Sequence, residues 1–298
     1  MEAIVLQRSD QAMVFDIQRA SYVDGPGLRT TVFLKGCNLR CRWCHNPESQ
    51  DGKAVLLRYP TRCTHCGICV SHCPTHAISP DGTTNPALCI ACGKCVLYCL
   101  NDARKLCGRM MTAEDVLGEV LRDKPYYDST GGGVTVSGGE CMLHIDFLEA
   151  LLKLCHKNGL RTAVDTAGNV PFASFERVLP YADLFLSDVK CITEETHIAG
   201  TGVSNRLILQ NLVRLLNVCP DAIIIRVPVI PGFNDNEEEI GKIAAFFRQY
   251  GKPKKIELLP YHRLGENKNA ALGRDGFTAD PPPKDLMARL NALFDDLT

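Results

Sequence analysis

Three cysteines, Cys37, Cys41 and Cys44, stand in the spacing C-x3-C-x2-C with no fourth cysteine close by. The apolar run from Thr30 to Leu34 leads directly into them, so the thiols are expected in a loop at the end of a strand. Cysteine thiolates are the usual ligands of iron–sulfur clusters, and three of them can bind three corners of a [4Fe–4S] cube. The fourth iron would keep an open coordination site, which suits the amino and carboxylate groups of a methionine-like molecule.

A structural zinc site is the alternative for the same loop. His45 could complete a four-ligand set with the three cysteines, so the local sequence leaves zinc open. The other cysteines of the chain favour iron.

Residues 55–108 contain two further cysteine runs. Each has the spacing C-x2-C-x2-C-x3-C of bacterial ferredoxins, in which the fourth cysteine of each run binds the other cluster. The runs predict one [4Fe–4S] cluster on Cys63, Cys66, Cys69 and Cys99, and another on Cys89, Cys92, Cys95 and Cys73. Zinc is again the alternative, and Cys99 departs from the pattern because Leu100 follows it instead of a proline. We predict a ferredoxin-like insert at 55–108 through which electrons could enter the protein.

The rest of the chain alternates predicted strands with predicted helices. The strands are expected at 30–34, 134–136, 161–164, 183–186, 222–225 and 255–259, and the helices at 112–124, 144–158, 172–179, 205–218, 236–250 and 283–297. Six such units indicate an α/β fold, a partial (β/α)6 TIM-like barrel with a parallel sheet and helices outside. The barrel is assigned to residues 1–54 and 109–298.

Glycine-rich or polar clusters follow the predicted strands, and barrel active sites lie at the carboxyl ends of their strands. We therefore expect one rim to carry the three cysteines together with Gly138, Gly139, Glu140, Asp165, Asp188, Lys190, Arg226 and His262. Each of these residues alone could be only part of a turn, a loop cap or a surface ion pair. Their joint placement is what predicts a single site.

The residue types at this rim suggest individual roles. The carbonyls of Gly138 and Gly139 could accept hydrogen bonds from a ligand ammonium, with Glu140 adding charge or fixing the loop. Asp165 could bond ribose hydroxyls. Asp188 and Lys190 are two residues apart and would point the same way on an extended segment.

Two further roles are available at the same rim. Lys190 could pair with a ligand carboxylate. His262 could lie against an adenine ring or bond its edge.

The composition excludes several classes of function. The chain has 298 residues, a net charge of −1 and 16 cysteines. The charge predicts neither nucleic-acid binding nor attraction to an anionic membrane. Met1 to Asp10 is too polar for a signal peptide, and no apolar run approaches the roughly 20 residues that cross a bilayer. We expect a cytoplasmic protein whose cysteines bind metal instead of forming disulfides.

Several motifs together resemble the radical S-adenosylmethionine superfamily. They are the three-cysteine loop, Ser137-Gly138-Gly139-Glu140 and the six-unit pattern. Four more resemble the glycyl radical enzyme activating enzymes, relatives of the pyruvate formate-lyase activase: Asp24-Gly25-Pro26-Gly27-Leu28-Arg29, Cys44-His45-Asn46-Pro47-Glu48, Asp188-Val189-Lys190 and Leu259-Pro260-Tyr261-His262. The resemblance covers nearly the whole chain. The insert is typical of activases for dehydratases, decarboxylases and lyases, and the pyruvate formate-lyase activase lacks it.

The resemblance implies a specific reaction. One electron would split S-adenosylmethionine, bound at the open iron, into methionine and a 5′-deoxyadenosyl radical, which would take a hydrogen from the Cα of a glycine in a partner enzyme. Three [4Fe–4S] clusters, a flavodoxin- or ferredoxin-type electron donor and a monomeric protein are expected.

The resemblance also implies residue roles. Trp43, Cys44, His45, Gly139, Asp188, Val189, Lys190 and His262 would line the cofactor site. Asp24 and His45 would face the partner's glycine. The chain departs from many relatives at Ala167, where they have asparagine, and from the pyruvate formate-lyase activase at Pro228, where it has valine.

Two other functions compete with this interpretation. A ferredoxin-like electron carrier would explain the eight cysteines of the insert but leave the loop of Cys37, Cys41 and Cys44 without a role. A radical S-adenosylmethionine enzyme acting on a small molecule or peptide often carries extra cysteines after the barrel, and no cysteine follows Cys219 here.

Overall fold

The computed structural model describes residues 10–297, and within that range its strands form an eight-stranded sheet and a two-stranded sheet. The strands are β1 (Gln11–Ser21), β2 (Arg29–Leu34), β3 (Val55–Arg58), β4 (Arg104–Cys107), β5 (Arg109–Thr112), β6 (Gly133–Gly138), β7 (Thr162–Thr166), β8 (Leu184–Asp188), β9 (Ile223–Val229) and β10 (Lys255–Pro260). The segment Met1 to Asp10, expected not to be a signal peptide, lies outside the described residues except for Asp10.

The helices mostly follow the strands of the large sheet. They are α1 (Ile68–Ser71), α2 (Lys94–Leu97), α3 (Ala113–Val120), α4 (Lys124–Thr130), α5 (Ile145–Lys157), α6 (Phe172–Val178), α7 (Glu194–Thr201), α8 (Arg206–Val218), α9 (Glu237–Tyr250), α10 (Glu266–Ala271) and α11 (Lys284–Ala292). None of the helices within residues 10–297 has the length and apolar character needed to cross a bilayer.

The large sheet has the order β10-β9-β8-β7-β6-β2-β1-β5. All neighbouring pairs from β2 to β10 are parallel, which confirms the six predicted parallel strands. Within the described chain β10 and β5 are the two ends of this order, so the sheet is open like a partial barrel. The antiparallel strands β1 and β5 at one edge were not predicted.

The two faces of the parallel strands bury different residues, as a period of two requires. Val164, Phe185 and Ile225 belong to the main core, which also contains side chains of α5, α8 and α9. The alternate positions Ala163, Leu184, Leu186 and Ile224 form a separate small cluster. Both faces are therefore buried, and the polar residues are left to the strand ends.

Two predicted helices have different bounds in the structure. The capping box predicted at Thr112 is present, with Thr112 Oγ1 accepting from Asp115 N at 3.0 Å. The helix that it starts ends at Val120, and α4 begins separately at Lys124 with Pro125 in its first turn, where a missing N–H costs nothing. The closing helix α11 ends at Ala292, five residues before its predicted end at 297.

Residues 55–108 begin and end with a strand pair of their own. β3 and β4 are antiparallel, with Val55 opposite Cys107 and Arg58 opposite Arg104. Between them, α1 and α2 each follow a glycine in the left-handed region, Gly67 with φ +74° and Gly93 with φ +75°. The two cysteine runs thus share one backbone conformation, which makes this segment an internal repeat.

Candidate active site

A cavity of about 270 Å³ lies at the carboxyl ends of the parallel strands. The loop after β2 contributes Cys37, Cys41 and Cys44 to its wall. The other predicted residues that line it are Trp43, His45, Gly138, Gly139, Asp165, Asp188, Lys190, Arg226 and His262. The structure therefore brings residues from six separate strand ends to one space.

The cysteine loop is held by backbone hydrogen bonds to two other segments. Gly36 N donates to Ser49 O at 2.7 Å, and Arg40 N donates to Thr201 O at the end of α7, also at 2.7 Å. The ammonium of Lys35, fully buried at the end of β2, donates to the carbonyl of Glu48. These bonds fix the loop independently of any bound group.

The three thiols of this loop fit a cationic cluster. Burial raises the pKa of Cys37 to about 11 and that of Cys44 to about 12, and it also raises the pKa of Cys41. Thiolates in such a place need positive charge beside them, which a bound iron cluster supplies. Among residues 10–297, no three His, Cys, Asp or Glu side chains are grouped so as to hold a single metal ion.

Lys190 and Asp188 form an ion pair inside the cavity. Lys190 Nζ lies 2.6 Å from Asp188 Oδ2, and the lysine side chain is 9% exposed. Burial works against the ammonium charge, but the Asp188 carboxylate outweighs it and raises the pKa of Lys190. The cavity thus contains a permanent cation next to the cysteines.

Arg226 is a second buried cation at the same site. Its Nη1 lies 3.5 Å from Asp165 Oδ2, and its Nη2 lies 4.0 Å from Asp24 Oδ1. Burial raises the pKa of Asp165 although Arg226 opposes the shift. Asp165 also accepts a hydrogen bond from Ser137 Oγ at 2.6 Å.

The rings of His45 and His262 stack with their centroids 3.8 Å apart. Burial lowers the pKa of His45 to about 4, so its imidazole is neutral near neutral pH. His45 Nε2 is buried and has no hydrogen-bond partner among the described residues. Trp43 packs on Phe233 with ring centroids 4.2 Å apart. The cavity therefore has an aromatic wall with one unused polar atom.

Three predicted site residues lie outside the cavity lining. Glu140 is fully buried and fixes the neighbouring loop by accepting from Thr166 Oγ1 at 2.7 Å and from Ala167 N at 2.9 Å. Burial raises the pKa of Glu140 to about 7. Val189 packs in the main core. Asp24 does not line the cavity itself, but its carboxylate lies 4.0 Å from the guanidinium of Arg226, which does.

The eight cysteines of residues 55–108 divide between two separate cavities. Cys63, Cys66, Cys69 and Cys99 line one of them. Cys73, Cys89, Cys92 and Cys95 line the other. The grouping in space is the same as the interleaved grouping expected from the sequence.

The remaining five cysteines lie elsewhere. Cys107, Cys141, Cys155 and Cys191 are buried, and Cys219 is partly buried at the end of α8. Cys141 donates to Asp165 O at 3.3 Å, and Cys191 donates to Thr193 O at 3.5 Å. Both thiols that flank the rim are thus used in local hydrogen bonds.

Several cavity residues were not predicted. They are Leu39, Asn46, Ser49, Gln50, Ser137, Thr166, Ala167, Pro228, Ile230, Leu259, Pro260 and Tyr261. Most of them adjoin a predicted residue within the same motif, so extending each motif by one or two residues would have found them. Ile230, four residues after Arg226, carries no such signal.

Comparison with known proteins gives a consistent result. A sequence model of the radical SAM superfamily matches residues 31–244. The indoleacetate decarboxylase activating enzyme of Tractidigestivibacter scatoligenes is 42% identical over 276 residues, which cover 88% of this chain and 87% of that protein. The trans-4-hydroxy-L-proline dehydratase activating enzyme of Clostridioides difficile is 40% identical over 292 residues, covering 95% and 96%. A radical SAM methyltransferase of Sphaerobacter thermophilus shares the fold, with a TM-score of 0.54 and 12% identity over 93% of this chain and 65% of that one.

Proposed function

This chain belongs to the glycyl radical enzyme activating enzymes of the radical SAM superfamily, and we propose that Cys37, Cys41 and Cys44 hold its catalytic [4Fe–4S] cluster. When bound, that cluster supplies the electron that cleaves S-adenosylmethionine to methionine and the 5′-deoxyadenosyl radical, which takes a hydrogen from a glycine Cα of the partner enzyme. The observation that carries the assignment is that the three thiols share one cavity with Lys190 and Arg226.

The charged residues of the cavity hold the methionine and ribose parts of S-adenosylmethionine. Lys190 is a buried cation 2.6 Å from Asp188, so a ligand carboxylate gains a charge-assisted hydrogen bond there. Asp165 keeps acceptor capacity beyond its bond from Ser137, which suits the ribose hydroxyls. The backbone carbonyls of Gly138 and Gly139 accept hydrogen bonds from the ligand ammonium.

The aromatic wall holds the adenine. The stacked rings of His45 and His262 offer a flat surface, and the neutral His45 offers its unpartnered Nε2. Trp43, pressed against Phe233, closes the wall beside Cys44. Excluding water from this wall protects a reactive radical from side reactions.

Asp24 and His45 lie towards the partner's glycine in this proposal, and Arg226 lies beside Asp24 in the cofactor cavity. Asp24 Oδ2 already accepts from Thr31 Oγ1 at 2.7 Å and faces Arg226. His45 lines the cavity and directly follows Cys44. Together these groups orient the peptide backbone of the partner.

Residues 55–108 form a ferredoxin-like insert with two more [4Fe–4S] clusters in this proposal, and residues 1–54 and 109–298 form the catalytic barrel. The two separate four-cysteine cavities support this division. So does the antiparallel pair of β3 and β4, which joins the two ends of the segment. Three clusters would give about twelve irons per chain.

The partners follow from the same chemistry. A flavodoxin- or ferredoxin-type protein would supply single electrons to a monomeric activase, and free thiols require the reducing cytoplasm. Relatives named for a decarboxylase and for a dehydratase match almost equally well, so the proposed partner is a glycyl radical enzyme as a class.

The proposal is tested by anaerobic purification followed by chemical reduction. The protein should hold about twelve irons, change its electron paramagnetic resonance spectrum when S-adenosylmethionine is added, and release methionine with 5′-deoxyadenosine. Cys41→Ala should abolish the cleavage and leave the insert clusters in place. A reduced wild-type protein that binds iron but never cleaves S-adenosylmethionine would contradict the proposal.

A further inference from the structure

The segment between β1 and β2 exposes two large apolar side chains. Tyr22 is 75% exposed and Val23 is 76% exposed. Single exposed apolar residues are common on protein surfaces, so exposure alone says little. What distinguishes this pair is the way its backbone is joined to the catalytic cavity.

The backbone next to the pair is fixed by side chains from the interior. The carbonyl of Val23 accepts a hydrogen bond from Arg226, which lines the cavity. The neighbouring Asp24 accepts from Thr31 Oγ1 at 2.7 Å through its carboxylate and from Thr135 Oγ1 at 2.7 Å through its carbonyl. The backbone that carries Tyr22 and Val23 is therefore already restrained. A partner that covers these side chains loses little free energy to the ordering of this loop.

A second apolar group adjoins the cavity from the last strand. Leu259, at the end of β10, lines the cavity and is still partly exposed. Leu264 follows the cavity residue His262 by two positions and is 73% exposed. Exposed apolar side chains thus come from one segment that lines the cavity and from another that is bonded to Arg226 in its lining.

We propose that Tyr22, Val23 and Leu264 are anchor residues that bind the glycine-bearing segment of the partner enzyme, a role that rests on the function proposed above. Small ligands are buried inside concave sites, whereas these three side chains are exposed and do not line the cavity, so a macromolecular surface is what would bury them. Tyrosine is enriched among the residues that dominate protein–protein binding. The partner's glycine must come to this cavity, so the polypeptide on either side of it passes over the residues next to the cavity.

The test uses single substitutions in the full iron-loaded enzyme. The variants are Tyr22→Ser, Val23→Ser and Leu264→Ser. The probes are purified glycyl radical enzymes, among them the indoleacetate decarboxylase and the trans-4-hydroxy-L-proline dehydratase for which two relatives are named. Tyr250→Ser and Val218→Ser are matched controls, because these residues are also exposed but lie at the ends of α9 and α8. Two quantities are measured: S-adenosylmethionine cleavage without the partner, and glycyl radical yield against partner concentration.

We expect the three variants to raise the half-saturating partner concentration by about tenfold or more, as loss of a binding anchor does. Cleavage without the partner should stay at the wild-type level, and both controls should behave like wild type. An unchanged half-saturating partner concentration in all three variants would overturn the inference. An equal loss of S-adenosylmethionine cleavage without the partner would also overturn it, because the loop would then only support Arg226. A wild-type enzyme that cleaves S-adenosylmethionine but never forms a glycyl radical on any of the probes would instead refute the proposed function.

Discussion

Gly139 passes so close to Gly36 that a Cβ atom on Gly139 would lie 2.3 Å from the carbonyl oxygen of Gly36. The same Cβ would lie 3.0 Å from the Cβ of Cys37. The two segments are also bonded directly, because Glu140 N donates to Gly36 O at 2.8 Å. The glycine-rich turn after β6 therefore supports the cysteine loop as well as lining the cavity.

This contact predicts that Gly139→Ala displaces the cysteine loop. We expect loss of the proposed catalytic cluster, seen as a decrease of about four irons from the roughly twelve that three proposed clusters would hold, and a stability cost of about 1–3 kcal/mol from overpacking. Gly241→Ala in α9 is the control, because a Cβ there meets no atom within 4 Å. That control should raise stability by roughly 0.5–1 kcal/mol, as alanine does in a helix. A Gly139→Ala protein with full iron content would show that the loop tolerates the shift.

Lys190→Met should weaken S-adenosylmethionine binding without removing iron. A hydrogen bond to a charged group contributes about 1.5–3 kcal/mol, so the dissociation constant should rise about 10- to 100-fold. Equilibrium titration of the anaerobic protein measures the affinity, and iron analysis reports the cluster. Lys124→Met is the matched control, because the Lys124 ammonium pairs with Asp128 at 3.0 Å within α4 and both side chains are exposed. Equal affinities in wild type and Lys190→Met would contradict a role for Lys190 in holding the ligand.

The sequence was sufficient to predict the parallel part of the fold. The strands β6 to β10 are short apolar runs between turn signals, a pattern that is typical of strands buried on both faces. The edge strand β1 was missed because only its first half is buried on one face, while Gln18, Arg19 and Ala20 are exposed. A strand buried in this partial way shows no regular alternation of apolar and polar residues in the sequence.

The contacts that hold the site together were less predictable than its residue types. Glu140 stood in a recognisable motif, yet its partners Thr166 and Ala167 belong to the end of another strand. The bonds from Arg226 to Asp165 and to the Val23 carbonyl likewise join residues far apart in the chain. Such pairings depend on how strands are arranged in the sheet, which local patterns do not specify.

The division of the eight cysteines of residues 55–108 between two cavities predicts a pairing of substitution effects. Cys66 and Cys99 line the same cavity. Cys66→Ser and Cys99→Ser should therefore each lose about four of about twelve irons, and the variant with both substitutions should lose no more than either one alone. Cys66→Ser combined with Cys73→Ser should lose about eight, because these residues line different cavities. Iron and sulfide analysis of the anaerobic proteins measures both. If the second pair lost only about four, each run would bind its own cluster and the interleaved assignment would be wrong.

Protonation of His197 should weaken the helix that supports the cysteine loop. His197 is buried in α7, where its Nδ1 lies 2.7 Å from Val203 O, and burial lowers its pKa. The carbonyl of Thr201, at the end of the same helix, accepts from Arg40 N at 2.7 Å in the cysteine loop. Local unfolding of α7 would therefore release that loop.

The sign of the pH effect follows from the lowered pKa. The unfolded imidazole, with a pKa of about 6.5, takes up a proton before the folded one does, so acid favours unfolding. The stabilisation is complete above about pH 6.5 and is lost as the pH falls towards the lower pKa of the folded protein. The melting temperature of the wild type should therefore drop more between about pH 7.5 and about pH 5.5 than that of His197→Gln. His156→Gln, at an exposed position of α5, should follow the wild-type curve. Parallel curves for wild type and His197→Gln would show that this imidazole does not link acidity to stability.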